Sequence, residues 1–194
     1  MTNTKVFIHH KALCESDSIG AGTRVWAFAH VMKGAHIGSD CNIGDHAFIE
    51  SGAKIGDRVT IKNGVMIWNG ITIADDVFIG PGVVFINDRF PRSPRMDGTI
   101  VVTHRYSNEA HWLARTHVER GASIGAAAVV GSGVRIGAFA AVGAGAVVTK
   151  NIPAHRLVLG VPAREVGWVC ICGRPIATMP TRPQECLHGG VGLE

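Results

Sequence analysis

The chain has 194 residues, 46% of them hydrophobic, with a formal net charge of +4 and a pI near 9.0. Without a long Lys/Arg stripe interleaved with aromatics, that balance argues against nucleic acid and suits a few basic residues gripping a small phosphorylated ligand. No apolar run approaches the roughly 18 residues that span a bilayer, so no membrane partner is expected.

In chain order, the opening MTNTKVFIHHKALCESD lacks a basic segment followed by an apolar stretch and a cleavage site. It reads as a chain without a signal peptide, and the expected compartment is the cytoplasm. From there every sixth residue is apolar: Ile19, Val25, Val31, Ile37, Ile43, Ile49, Ile55, Ile61, Ile67, Ile73, Ile79 and Phe85. Phe7 and Leu13 extend the phase backwards, so winding is expected to begin near Phe7. Such a period fits neither a helix nor a flat strand and marks a repeat architecture. Short strands wound around a buried aliphatic column make a parallel β-helix.

Small residues two positions before the aliphatics (Ala29, Ala35, Cys41, Ala47, Ala53) let a narrow interior reach native packing density. Each buried Ile or Val contributes roughly 1.5–3 kcal/mol, so the column suffices as a core. Glycines directly after the aliphatics, such as Gly38, Gly44, Gly56 and Gly80, are taken as the permissive corners.

Residues 86–117 break the period with a polar insertion, PRSP at 91–94 and then HRYSNEAHWLARTH. A segment this long exceeds ordinary connections, and solenoids carry such insertions on one face, often the binding face. A second series, shifted by three in phase, follows as Val118, Ile124, Val130, Ile136, Val142 and Val148. The Pro-punctuated TKNIPAHRLVLGVPAREVGW should then leave the coil and fold back, ending a single domain over 1–168. Residues 169–194 are expected as an irregular C-terminal tail. There Cys170, Cys172 and Cys186 form a poor zinc pattern, so reduced thiols and no metal are expected.

The hexapeptide column, GAGAVVTKNIPA and GVPAR together resemble the left-handed β-helix acyltransferases. TRVWAFAHVMKGAHIG at 23–38, FINDRFPRS at 85–93 and HVERGASIG at 117–125 are similar to the N-acetyltransferases of nucleotide-linked 3-amino sugars. The nearest type is the UDP-2-acetamido-3-amino-2,3-dideoxy-glucuronate enzyme of lipopolysaccharide or O-antigen biosynthesis. The resemblance, over roughly residues 7–168, implies an all-β, left-handed parallel β-helix in a homotrimer with active sites between subunits. It also implies acetyl-CoA as cosubstrate, direct attack of the amine on the thioester, and no metal. Two departures are visible: Gly125-Ala126-Ala127-Ala128 replaces a GANA-like step, and His117 stands where an aliphatic is common.

Three hexads per turn in the resembled fold would stack residues eighteen apart at about 4.8 Å. Asn87 then sits above Asn69 and Asn69 above Ser51, with Asn63 above Asp45. Asn87 matches the family position at the reacting end of the sugar and is assigned to orient the amine or polarise the acetyl oxygen. His117, where the chain re-enters the coil, is the candidate base because histidine side chains change charge near neutrality. The departing CoA thiolate is the alternative proton acceptor. Asn63, Trp68, Asn69, Asp88, Arg89, Arg92 and His30 are the candidate sugar-nucleotide contacts, Arg suiting a diphosphate or carboxylate and Trp a ring. Ala141 and Gly143 would let the pantetheine arm approach open strand edges. Lys150 and Arg164 would meet the CoA phosphates, and Pro153 and Pro162 would shape the adenine end.

Two other readings stand beside this one. A γ-class carbonic-anhydrase-like zinc enzyme on the same fold needs three converging histidines. His104, His111 and His117 lie in or at the edge of the insertion without the paired spacing. A non-catalytic β-helix scaffold would leave FINDRFPRS and GVPAR without a role.

Overall fold

In a computed structural model that describes residues 5–92, 105–176 and 186, the six-residue period becomes strands of two or three residues separated by corners. The strands stack into three sheets of ten, seven and five strands, called here the first, second and third faces. On the first face Ile43 pairs in parallel with Ile61, and Ile61 with Ile79. Ile49 and Ile67 do the same on the second face, as do Ile55 and Ile73 on the third. Both aliphatic series, Val25 to Phe85 and Val118 to Val148, are buried in one continuous core. The parallel β-helix expected from the period is the fold.

Thr23 takes an inward position in that core and is 0% exposed. Its hydroxyl donates to the Gly38 carbonyl at 2.7 Å and accepts from the Cys41 amide at 3.0 Å, so the buried polar group is satisfied.

Three details differ from the sequence reading. Phe7–Ile8 pairs with Arg24–Val25, and Leu13–Cys14 with His30–Val31. By register Ile8 and Cys14, rather than Phe7 and Leu13, stack on the column residues Val25 and Val31, although Ile8 at this open end is still 46% exposed. The step from Cys14 to Ile19 is five positions instead of six, and this short step shifts everything before it by one.

The corner glycines act differently from expectation. The left-handed position lies three residues after most of the aliphatics and is often not glycine, as at Asp40 (φ 56°) and His46 (φ 59°). Glycines directly after the aliphatic are needed because the next coil is too close for a side chain. A Cβ on Gly80 would fall 2.7 Å from the Ala126 amide nitrogen.

The C-terminal segment is more regular than expected. Arg156–Leu159 adds in parallel to Ala141–Val142, and then Arg164–Val169 and Pro175–Ile176 follow antiparallel. An exposed strand edge is a template for further pairing, and the apolar Val169 and Ile176 become buried there. No helix among the described residues is long and apolar enough to cross a membrane.

Candidate functional site

The insertion leaves after Val84–Phe85 on the second face and returns at Thr116–Val118 on the third. Its two ends are tied together at that corner. The Ala114 amide donates to the Asn87 carbonyl at 2.8 Å, and Asp88 and Leu113 form an antiparallel bridge. The stacking of Asn87 on Asn69 is as the arithmetic gave it: Asn87 Nδ2 donates to the Asn69 carbonyl at 3.2 Å. That leaves the second amide hydrogen and Oδ1 without a protein partner among the described residues.

Two residues expected to hold substrate are hydrogen-bonded to the insertion. Asp88 is 7% exposed; its Oδ1 accepts from the Phe90 amide at 2.9 Å and its Oδ2 from the Tyr106 hydroxyl at 3.0 Å. Asn69 Nδ2 donates to Glu109 at 2.8 Å, its backbone amide donates to Glu50 at 2.7 Å, and Glu109 also pairs with Arg115. Sequence reading missed Glu50, Tyr106 and Glu109. Glu50 could have been found by stacking, since it precedes Ser51 in the coil below. The other two sit in an insertion without any period to place them.

His117 lies on the third face and not at the Asn87 corner. It is an exposed, outward residue of the third face, between Thr72 and Arg135. Arg115 and Thr116 lie between it and Ala114, so at most about 10 Å of chain joins the two. It borders a shallow groove of about 340 Å³ with Thr72, Glu119, Arg120 and Arg135. The ends of the excursion do rejoin one stack, as expected, but the imidazole points out of a different wall. His111 sits in the exposed short turn Glu109–His111, and His104 lies outside the described residues.

Asn63 is exposed on the corner between the first and second faces, its carbonyl accepting from the Gly82 amide at 3.2 Å. It therefore stands one corner away from Asn69 and Asn87. Trp68 is partly buried: its indole N–H donates to the Phe85 carbonyl at 3.0 Å and its ring lies 5.6 Å from Phe48. It braces the point where the insertion departs. His30 stacks below on the same face, 5.3 Å from Phe48 and 3.0 Å from a Glu15 carboxylate oxygen. Arg89 and Arg92 are exposed at the start of the insertion. Arg89 Nη2 comes within 3.5 Å of where a side chain on Gly133 would lie, so it reaches over the next coil.

At the far end Lys150 and Arg164 come together as expected. Both line a cavity of about 300 Å³ with Thr149, Asn151, Ala163 and Glu165. Glu165 is engaged by Arg156 at 2.8 Å, and neither Lys150 nor Arg164 makes an ion pair among the described residues. Pro153 and Pro162 are exposed nearby and do not line it. The strand edges expected to be open are already used: the Gly143 amide donates to Val158 at 2.9 Å, and the Val147 amide to Gly160 at 3.0 Å. Ala141 instead lines a separate cavity of about 280 Å³ with Asp76, Ser123, Phe139 and the turn Cys170–Gly173. Hydrogen bonding from Arg58, joined by Arg120, holds the Asp76 carboxyl below its ordinary range.

Comparison with known proteins gives a consistent picture. The bacterial transferase hexapeptide (six repeats) model matches residues 18–51 and 52–87, and the hexapeptide repeat of succinyl-transferase matches residues 115–150. A curated relative, dTDP-3-amino-3,6-dideoxy-alpha-D-galactopyranose 3-N-acetyltransferase of Aneurinibacillus thermoaerophilus, is 48% identical over 166 residues. That alignment covers 86% of this chain and 80% of the relative. Among solved structures, the acetyltransferase domain of PglB from Neisseria gonorrhoeae FA1090 in complex with acetyl coenzyme A matches with a TM-score of 0.54 at 20% identity. The match covers 84% of this chain and 58% of that one, and at this identity it shows the fold alone.

Proposed function

The chain belongs to the hexapeptide-repeat transferases, and from that premise we propose that it acetylates the C3 amino group of a nucleotide-linked amino sugar with acetyl-CoA as donor. The observation that carries this reading is the 48% identity, across 86% of the chain, to a 3-N-acetyltransferase of a dTDP-linked sugar. dTDP-linked 3-amino sugars are accordingly the first substrates to try, and UDP-linked ones the second. The enzyme would work as a cytoplasmic homotrimer in lipopolysaccharide or O-antigen sugar synthesis.

The chemistry needs an uncharged amine, a polarised carbonyl and a proton acceptor. The sugar nitrogen attacks the thioester carbonyl carbon; a C–N bond forms and the carbonyl oxygen gains charge. Asn87, with one amide hydrogen on Asn69 and one to spare, is the donor assigned to that oxygen or to the amine's orientation. Collapse breaks the C–S bond and releases the CoA thiolate, which takes the proton lost from nitrogen. The thiolate forms at the reacting centre itself. His117, on another wall, serves as base only if the bound sugar extends across to it. Arg89 and Arg92 reach out beside Asn87 for the diphosphate or a sugar carboxylate. Lys150 and Arg164 supply positive charge for the CoA phosphates.

The test is product analysis by mass and NMR after incubation with acetyl-CoA and matched 3-amino and 4-amino nucleotide sugars. Acetylation at C3 supports the reading. A 4-N-acetylated product overturns the regiochemistry, and no product from either series overturns the function.

A further inference from the structure

Cys170, Cys172 and Cys186 are a poor metal pattern in sequence, yet the fold gathers them. Cys170 follows directly on the strand Arg164–Val169, and Cys172 lies in the turn that reverses the chain into Pro175–Ile176. Two backbone hydrogen bonds build that turn, Cys170 amide to Arg174 carbonyl and Gly173 amide to Cys170 carbonyl, both 2.9 Å. Gly173 takes the left-handed conformation it requires, with φ 86°. Cys186 comes back to the same place, and the three sulfurs all lie within 4.8 Å of one another. None of the five cysteines is in a disulfide.

A tetrahedral zinc ion with Zn–S bonds of about 2.3 Å sets its thiolates about 3.8 Å apart. Sulfurs within 4.8 Å therefore need to close by about an ångström or less, a side-chain rotation and not a refolding. The surroundings have need of such a tie. Of the segment 169–176 only Val169, Cys170 and Ile176 are buried, a small core for a hairpin. Segments with so little apolar burial commonly rely on a metal or a disulfide.

We propose that Cys170, Cys172 and Cys186 bind a structural zinc ion that fastens the C-terminal end of the chain to the hairpin 164–176. Thiolate ligands select zinc over the hard divalent cations. Each thiol releases its proton to solvent on binding, so affinity rises with pH. Within the chain the trio lies by the first face, whereas Asn87 lies at the corner between the second and third.

The test is metal content of the full-length chain, purified without chelator, alongside Cys172→Ser, Cys186→Ser and Cys14→Ser. About one zinc per chain is expected in the parent and in Cys14→Ser, falling below about a tenth in the other two. Two further measurements on the parent alone guard against misfolded variants. Thiol labelling should be blocked at these three cysteines until a chelator is added, and cobalt substitution should give thiolate-to-metal charge-transfer absorption. Absence of zinc together with absence of that absorption overturns the proposal. So does zinc retained by both tail variants, or a disulfide within the trio in freshly isolated protein.

Discussion

The Asn87 side-chain amide donates to the Asn69 backbone carbonyl across one coil, at 3.2 Å. The bond turns the Asn87 amide to one orientation at the corner where the insertion leaves, and it uses only one of the two amide hydrogens. A fixed donor costs no reorganisation as charge develops on a carbonyl oxygen, which is the property the reaction needs.

Replacing Asn87 by Ala is expected to lower kcat by roughly 10²-fold, the usual effect of losing one oxyanion donor. The dissociation constant of CoA, measured by calorimetry, should stay unchanged. Unchanged turnover would remove Asn87 from the mechanism.

His117→Asn is expected to change kcat/KM by less than about threefold, because in the proposed reaction the thiolate takes the proton. The informative readout is the acidic limb of the pH–rate profile. It should persist in the variant; its disappearance would make His117 the base.

Lys150→Ala and Arg164→Ala should each raise KM for acetyl-CoA by about tenfold, as expected for loss of one charge-assisted contact of roughly 1.4 kcal/mol. Turnover at saturation should be preserved. A fall in kcat with KM unchanged would place the CoA phosphates elsewhere.

In the interior, Ile61→Ala removes a fully buried side chain and should cost about 2–5 kcal/mol in denaturant unfolding. The control is Ile86→Ala at a position 39% exposed, expected within about 0.5 kcal/mol. Equal effects would contradict a single central column as the source of stability.

Asp76 gives a pH signature. Its carboxyl is held below the ordinary value by hydrogen bonding from Arg58, with Arg120 adding to it. A carboxyl lowered in the folded state contributes stability that is complete above its unfolded value and lost as pH falls through the folded one. Asp76→Asn should therefore flatten the acid side of the stability curve below about pH 4 and leave its slope near neutrality unchanged. Thermal unfolding across that range checks it.

The column was legible because burial favours an apolar side chain at nearly every inward position, Thr23 being satisfied by its own hydrogen bonds, and a period of six fits neither a helix nor a flat strand. Where the chain departed from strict spacing, legibility failed by one residue, as at Phe7 and Leu13. The Asn87–Asn69 stacking followed from the three hexads per turn that the resemblance supplied. Within the insertion nothing periodic places Tyr106, Glu109 or Asp88, so anchoring residues and ligand contacts look alike in the sequence. The cysteine trio was hidden for a related reason: a hairpin turn and a returning tail bring distant thiols together, and spacing does not record that.

The most direct measurement is CoA thiol release from acetyl-CoA with dTDP-linked 3-amino sugar, 4-amino sugar or no amine, using the parent and Asn87→Ala. The account predicts release that requires the 3-amino substrate and falls roughly 10²-fold in the variant. Release independent of the amine, or equal in parent and variant, would contradict it.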